Sequence, residues 1–215
     1  MGMAGSLTHD VIRTPPPPPV EGGWGGGGDG SEGRGSSRRA SFTGLWVLLA
    51  ASTMVFAAFT SALVVRRGLS DDWSPTPKPP ILFVNTAVLL LSSAALEMAR
   101  RALKSGARAK FNTWWTLGTA LGMLFLGGQW LAWLELKAAG VYIATNPSSS
   151  FFYVLTASHA FHLLGGLGAL AYVDVQALRL QLGPAKRTAI DISAIFWHFL
   201  DGIWLYLMVL FYVWG

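Results

Sequence analysis

Residues 42–65 read FTGLWVLLAASTMVFAAFTSALVV, a stretch of 24 residues that contains no charged side chain. At a rise of about 1.5 Å per residue, a helix of this length crosses the roughly 30 Å hydrocarbon core of a bilayer. A helix also satisfies its own backbone polar groups, which find no water inside that core. We therefore predict that this stretch forms a transmembrane helix.

Four further apolar stretches of similar length follow the first one. They cover about residues 81–102, 112–136, 151–177 and 190–214. The composition agrees with a membrane protein, because 52% of the residues are hydrophobic and 13% are charged, an unusual balance for a soluble domain. The sequence therefore predicts an all-α integral membrane bundle of five transmembrane helices, which forms one domain over residues 41–215.

The first 40 residues have a different composition. Prolines occupy positions 15–19, glycines dominate residues 22–35, and few apolar side chains are present. Such a segment buries too little surface to offset the entropy lost on ordering. We predict a disordered Pro/Gly-rich cytoplasmic tail over residues 1–40.

The basic residues predict the orientation in the membrane. Twelve of the 16 lysines and arginines lie in the tail and in the second and fourth loops, and the other four lie in the first and third loops. Because cytoplasmic loops carry the excess of basic residues, we place the N-terminus in the cytoplasm and the C-terminus outside. Since the charges form short clusters between apolar runs, no nucleic-acid partner is expected.

Polar and ionisable residues inside the predicted spans are the candidate functional residues, because their burial in hydrocarbon is costly. His159 and His162 are three residues apart and share one helix face, and His198 and Asp201 repeat that spacing in the fifth span. We expect both faces to point inward and the two pairs to meet near the midplane. The full candidate network is His159, His162, His198, Asp201, Thr53, Gln129 and Glu135.

Three interpretations of this network remain open. Histidine titrates near neutral pH, so the residues fit a proton relay; three histidines and one aspartate also fit a divalent metal site. The third interpretation is a buried hydrogen-bond network that only joins helices. The chain has no cysteine, and no nucleophile elbow, phosphate loop or haem-attachment motif is present, so we expect no catalytic centre in this chain.

The last two spans carry the clearest motifs. Residues 196–207 read FWHFLDGIWLYL, and the chain ends in Trp-Gly at residues 214–215. Upstream, residues 151–162 read FFYVLTASHAFH, and Gly165 and Gly166 follow. Together with Asn85-Thr86 and Gln129, these motifs resemble the signature of subunit III of the haem-copper cytochrome c oxidases. The resemblance covers about residues 42–215 and is closest to the short five-helix bacterial form.

The resemblance implies an accessory, cofactor-free subunit that stabilises subunit I of a proton-pumping terminal oxidase. Haem and copper then belong to partner subunits, subunit II is present in the complex, and phospholipid binds to this chain. The implied location is the bacterial inner (plasma) membrane, as a multi-pass protein. In the family a buried glutamate follows a serine in the first helix, whereas here Thr53 follows Ser52. A second family glutamate corresponds to Ala132.

Two alternatives to the cytochrome c oxidase subunit are kept. Related subunits accompany quinol oxidases and nitric-oxide reductases, and the electron donor is bound by another subunit. From a different class, a stand-alone proton or ion transporter would use the same His/Asp cluster. As a subunit of an oxidase or reductase, the chain itself is expected to be a non-catalytic component rather than a complete enzyme.

Overall fold

The computed structural model describes residues 30–69, 73–74, 79–179 and 184–214, with side chains described for residues 38–69, 73–74, 79–179 and 187–213. These residues form helices and no strands. Each of the five helices is long and apolar enough to cross a membrane, which confirms the predicted all-α fold. The helices are α1 (Gly30–Leu69), α2 (Ile81–Lys104), α3 (Arg108–Ala138), α4 (Pro147–Leu178) and α5 (Pro184–Trp214).

Glycine and capping residues mark the turns between the helices. Gly106, between α2 and α3, and Gly140, after α3, adopt φ angles of 77° and 79°, a conformation that side chains with a Cβ rarely accept. Helix α4 begins with a capping box, in which the Asn146 side chain accepts a hydrogen bond from the Ser149 backbone amide at 2.8 Å. The α2–α3 connection is therefore a tight antiparallel hairpin, and α4 has a defined start.

Helices α2 to α5 form a four-helix ring. Each packs against the next, and α5 returns to contact α2. In the described part of the chain, α1 packs on α4 and α5 and does not approach α2 or α3. Since α1 meets the ring with one stripe, much of its apolar surface remains exposed. That buried stripe consists of Leu45, Leu49, Ser52, Phe56 and Leu63.

The packing of tryptophan side chains sets the rotation of α5 about its own axis within the four-helix ring. Trp197 is fully buried, and a Cβ added to Gly122 of α3 would lie 2.7 Å from its indole. A Cβ on Gly166 of α4 would lie 3.3 Å from the same ring. Trp197 therefore points toward α3 and α4, which turns the next residue, His198, toward α2.

Glycines inside α3 and α4 fall into two groups. Gly122, Gly128 and Gly166 lie at helix contacts, where an added Cβ would crowd a neighbouring side chain. Gly127, Gly165 and Gly168 face open space, with no atom within 4 Å of an added Cβ.

The predicted tail over residues 1–40 lies outside the described residues up to residue 29. Helix α1 begins at Gly30, ahead of the predicted start of the domain at residue 41. The tail and the sides of the membrane on which the termini lie remain predictions.

Candidate functional site

Helices α2 and α5 are joined by a ladder of polar contacts. Near one end, Arg100 contacts Asp191 at 3.3 Å; near the other, the Trp204 indole donates a hydrogen bond to Thr86 Oγ1 at 2.9 Å. Between them the Ser93 hydroxyl pairs with His198 Nδ1. Thr86, Ser93 and Arg100 are seven residues apart, which places them on one face of α2 at intervals of two turns.

An ion-pair cluster forms one end of this ladder. Glu97 binds Arg100 at 3.2 Å and Arg101 at 3.3 Å, and Arg100 also reaches Asp191. The side chains of Glu97, Arg100 and Asp191 are 37%, 23% and 33% exposed, so the cluster is not sealed from its surroundings. Glu97 lies about 10 Å from the end of α2, where a carboxylate can reach the membrane interface.

His198 and Asp201 lie in the middle of the ladder. The side chain of His198 is 35% exposed, and its Nδ1 lies 3.9 Å from Asp201 Oδ2, too far for a hydrogen bond. Asp201 is buried, and neither of its carboxylate oxygens has a hydrogen-bond partner among the described residues. The partly exposed histidine thus lies beside a buried carboxylate of the same helix.

The histidines of α4 have an aromatic environment instead. The His159 ring stacks on Trp204 with centroids 5.1 Å apart, and the rings of Phe125 and Phe56 each lie 6.3 Å away. His159 is fully buried, and within the described residues neither ring nitrogen has a hydrogen-bond partner. This histidine is held by packing against aromatic rings.

His162 is half-buried and packs with Phe56 and Phe161, at centroid distances of 5.4 and 6.1 Å. Its Nδ1 lies 2.8 Å from the Ser158 carbonyl oxygen one turn earlier. Both α4 histidines therefore contact Phe56 of α1, which places them on the side of α4 that receives that helix.

No described contact joins the His159/His162 pair to the His198/Asp201 pair, although the two pairs were expected to meet near the midplane. His198 and Asp201 lie together on the α2 side of α5, whereas His159 and His162 share a neighbour on α1. The separation follows from the rotation of α5, because Trp197 and Trp204 occupy the side of that helix that faces the ring interior. The indole of Trp204 lies between His159 on one side and Thr86 on the other.

Three other predicted residues lie apart from these pairs. Thr53 is on the exposed side of α1 and donates to its own helix at Leu49 O, 2.8 Å away. Glu135 is exposed near the end of α3. Gln129 is buried, and neither atom of its amide group has a described partner. Only Gln129 shares the interior position expected of a network member.

Several residues that join the helices were not among the predicted ones. Asn85 donates to Phe125 O at 2.9 Å, and Ser92 donates to Gly118 O at 2.7 Å, both across the α2–α3 contact. Trp133 donates to Thr156 Oγ1 at 3.2 Å between α3 and α4. The seven-residue spacing of Thr86, Ser93 and Arg100 was a signal that could have identified the α2 ladder.

The chemistry available in these regions is hydrogen bonding and proton binding. Among the residues described, no three His, Asp, Glu or Cys side chains come together as a metal site requires. In the part of the chain that the structure covers, the metal interpretation therefore has no ligand set. The relay and the structural network both remain compatible with the geometry.

Comparison with known proteins gives a consistent result. The family model for cytochrome c oxidase subunit III matches residues 43–215, which include all five membrane spans except the first five residues of the first span. Cytochrome c oxidase subunit 3 of Thermostichus vulcanus is 31% identical over 174 residues, which cover 79% of this chain and 85% of the relative. The subunit 3 proteins of Synechocystis and Nocardia farcinica are each 29% identical, over 79% of this chain and 74% and 85% of their own lengths. The chain therefore belongs to the cytochrome c oxidase subunit III family.

Proposed function

We propose that this chain is the accessory, cofactor-free subunit III of a haem-copper terminal oxidase and that it stabilises subunit I. The family match over residues 43–215 is the observation that carries the proposal. The relatives are named as cytochrome c oxidase subunits, which favours cytochrome c over quinol as the electron donor of the complex. Haem and copper belong to the partner subunits, and subunit II completes the complex.

The arrangement of polar groups supports a structural role. Hydrogen bonds from Asn85, Ser92, Trp115 and Trp133 each join two helices, as does the ladder between α2 and α5. In a membrane, polar contacts of this kind hold helices together where the hydrophobic effect does not. The fold is therefore suited to act as a rigid helical block beside a larger membrane subunit.

Purification through an affinity tag on this chain tests the proposal. We expect haem absorption and oxygen-reducing activity to co-elute with the tagged chain from solubilised membranes. Membranes with the untagged chain serve as the control. Recovery of a haem-free chain that moves protons across liposomes would instead support the stand-alone transporter.

We also propose that the chain lies in a bacterial plasma membrane with its N-terminus in the cytoplasm. Because the sequence has no cysteine, single cysteines can report the side of each loop. Ser105 in the α2–α3 loop and Ala139 after α3 are both exposed. A membrane-impermeant maleimide should label Ala139→Cys in intact cells and Ser105→Cys only after permeabilisation; the reverse pattern would invert the orientation.

Bound phospholipid is the remaining part of the proposal. An apolar groove of about 230 Å³ lies between α2 and α5 beyond the ladder, and its apolar lining is compatible with an acyl chain. Its lining residues are Leu82, Phe83, Met208, Val209, Phe211 and Tyr212. Met208→Trp should fill the groove and lower the phospholipid content of the purified complex, which mass spectrometry of extracted lipid measures. Unchanged lipid content would place the lipid elsewhere.

A further inference from the structure

The half of the α2–α5 surface that contains Ser93 and His198, which the proposed orientation puts on the cytoplasmic side, is polar at a depth where an outer surface is normally apolar. His198 lies 11 residues inside the span that begins at Arg187, and Ser93 lies 11 residues inside the end of α2 at Lys104. At about 1.5 Å per residue, His198 lies about 16 Å from the start of that span and Ser93 about 16 Å from the end of α2, inside the hydrocarbon core. The His198 side chain is nevertheless 35% exposed there.

The exposed surfaces of α3 and α4 at similar depths are different. Their outward residues include Leu117 and Met123 on α3, and Leu164 and Tyr172 on α4, all exposed and largely apolar. The polar pair on that surface is satisfied, because the exposed Thr116 donates a hydrogen bond to Asp174 Oδ1 at 2.6 Å. Acyl chains solvate such apolar side chains without a free-energy cost. The α2–α5 surface therefore differs from a lipid-facing surface of the same molecule.

The position of the imidazole indicates what must contact it. Nδ1 of His198 is occupied by Ser93, which leaves Nε2 at the exposed edge of the ring without a described partner. Behind the ring lies the buried Asp201 carboxylate, also without a hydrogen bond among described residues. Acyl chains offer no hydrogen bond to this pair, so contact with lipid would leave both groups unsatisfied.

We propose that the cytoplasmic half of the α2–α5 surface is where the haem-bearing partner subunit docks, with a hydrogen-bonding group of a partner helix against His198 Nε2. The inference rests on the proposed function, because it assigns a surface to the partner of that complex. Gly202, one turn after His198, is exposed with no atom within 4 Å of an added Cβ. A partner helix can therefore approach the α5 backbone closely at this level.

The other half-buried histidine of the membrane region does not present the same surface. His162 is flanked by Phe56 and Phe161, its Nδ1 is bound to Ser158 O, and no carboxylate is described beside it. It serves as the matched control for the experiments below.

Site-specific photo-crosslinking in the assembled complex tests the location. Benzoylphenylalanine is placed at Ala94 or Ile195, beside His198 on α2 and α5, and at Leu117 or Tyr172 as controls at similar depth on α3 and α4. We expect the first two to crosslink to the haem-bearing subunit and the controls to crosslink to lipid. Crosslinks to that subunit from the controls only, crosslinks to a second copy of this chain, or crosslinks to lipid alone would overturn the proposal.

Paired substitutions test the hydrogen bond itself. His198→Gln retains a polar group near the position of Nε2, whereas His198→Asn retains only the one near Nδ1. We expect His198→Asn to reduce retention of this chain on the haem-bearing complex at least threefold after a stringent detergent wash, and His198→Gln to restore most of it. Equal retention for His198→Asn and His162→Asn would overturn the role of Nε2.

The experiments distinguish failure of the proposed function from failure of the docking surface. If the tagged chain elutes without haem, the proposed function fails. If it elutes with haem but Ala94 and Ile195 give no crosslink to the haem-bearing subunit, only the docking surface is wrong.

Discussion

Helices α4 and α5 each carry a histidine with a second ionisable group three residues later, but the two histidines have opposite environments. His198 on α5 pairs with Ser93, lies 3.9 Å from Asp201 and is partly exposed. His159 on α4 is fully buried among aromatic rings, with both nitrogens unpaired among the described residues. Equal spacing therefore fixes which residues share a helix face, while the neighbouring helices decide what chemistry that face has.

Trp204 contacts both environments, so its replacement should have the largest effect on the stability of the folded chain. Its indole stacks on His159 and donates to Thr86, and it is fully buried. We expect Trp204→Ala to lower the free energy of unfolding by about 3–5 kcal/mol, because a large cavity opens in the core. Unfolding of the purified chain in mixed micelles with rising SDS measures the change.

Two further variants sharpen this test. Trp204→Phe keeps a ring on His159 and removes only the hydrogen bond, whose acceptor Thr86 also donates to Leu82 O at 2.7 Å, so the loss should be about 0.5–1.5 kcal/mol. Trp130→Ala removes an exposed indole on α3 and should change stability little. Equal losses for Trp204→Ala and Trp130→Ala would contradict the central position of Trp204.

The contact between Gly122 and Trp197 should have the next largest effect, because it sets the rotation that separates the two histidines. An added methyl group at Gly122 would lie 2.7 Å from a buried indole that has no free space. We expect Gly122→Ala to cost about 1–3 kcal/mol through overpacking. SDS unfolding measures the cost.

Gly127→Ala is the matched control for that substitution, since the same methyl group meets nothing within 4 Å on the same helix. It should leave stability unchanged or slightly raised, because alanine favours helix. If both variants lose the same stability, the contact with Trp197 does not account for the loss at Gly122.

The sequence predicted the five helices well because long charge-free runs have few alternatives in a membrane protein. It did not predict which way each helix is rotated. Thr53 was expected in the network, but the stripe of Leu45, Leu49, Ser52 and Phe56 is the one that α1 buries, which turns Thr53 outward. Rotation depends on the combined packing of all five helices, and this information is not contained in the spacing within one of them.

The ladder of α2 shows a second limit. Serine and threonine are common in transmembrane helices and often bond their own backbone, as Thr86 does with Leu82. The importance of Ser93 depends on His198, which lies opposite it on α5. The periodic spacing on α2 was present in the sequence, but a partner for it had to be identified on another helix.

His198→Phe should have a smaller effect on stability than the changes at Trp204 and Gly122. The phenyl ring fills the same space but removes the bond to Ser93, which costs about 0.5–1.5 kcal/mol because the serine hydroxyl can turn back to its own helix. Ser93→Ala should cost a similar amount, and the double variant should cost no more than either single one. Additive losses in SDS unfolding would show that the two side chains act independently.

His159→Phe should have the smallest effect, and it completes the comparison. Phenylalanine retains the stack on Trp204 and removes two nitrogens that have no described hydrogen bond. Replacing an unpaired buried polar group by an apolar one of similar shape is near neutral or stabilising, so we expect a change within about 1 kcal/mol or a gain. A loss above about 2 kcal/mol in SDS unfolding would contradict this expectation and indicate that the imidazole nitrogens make a hydrogen bond that is lost with the ring, such as one to a buried water.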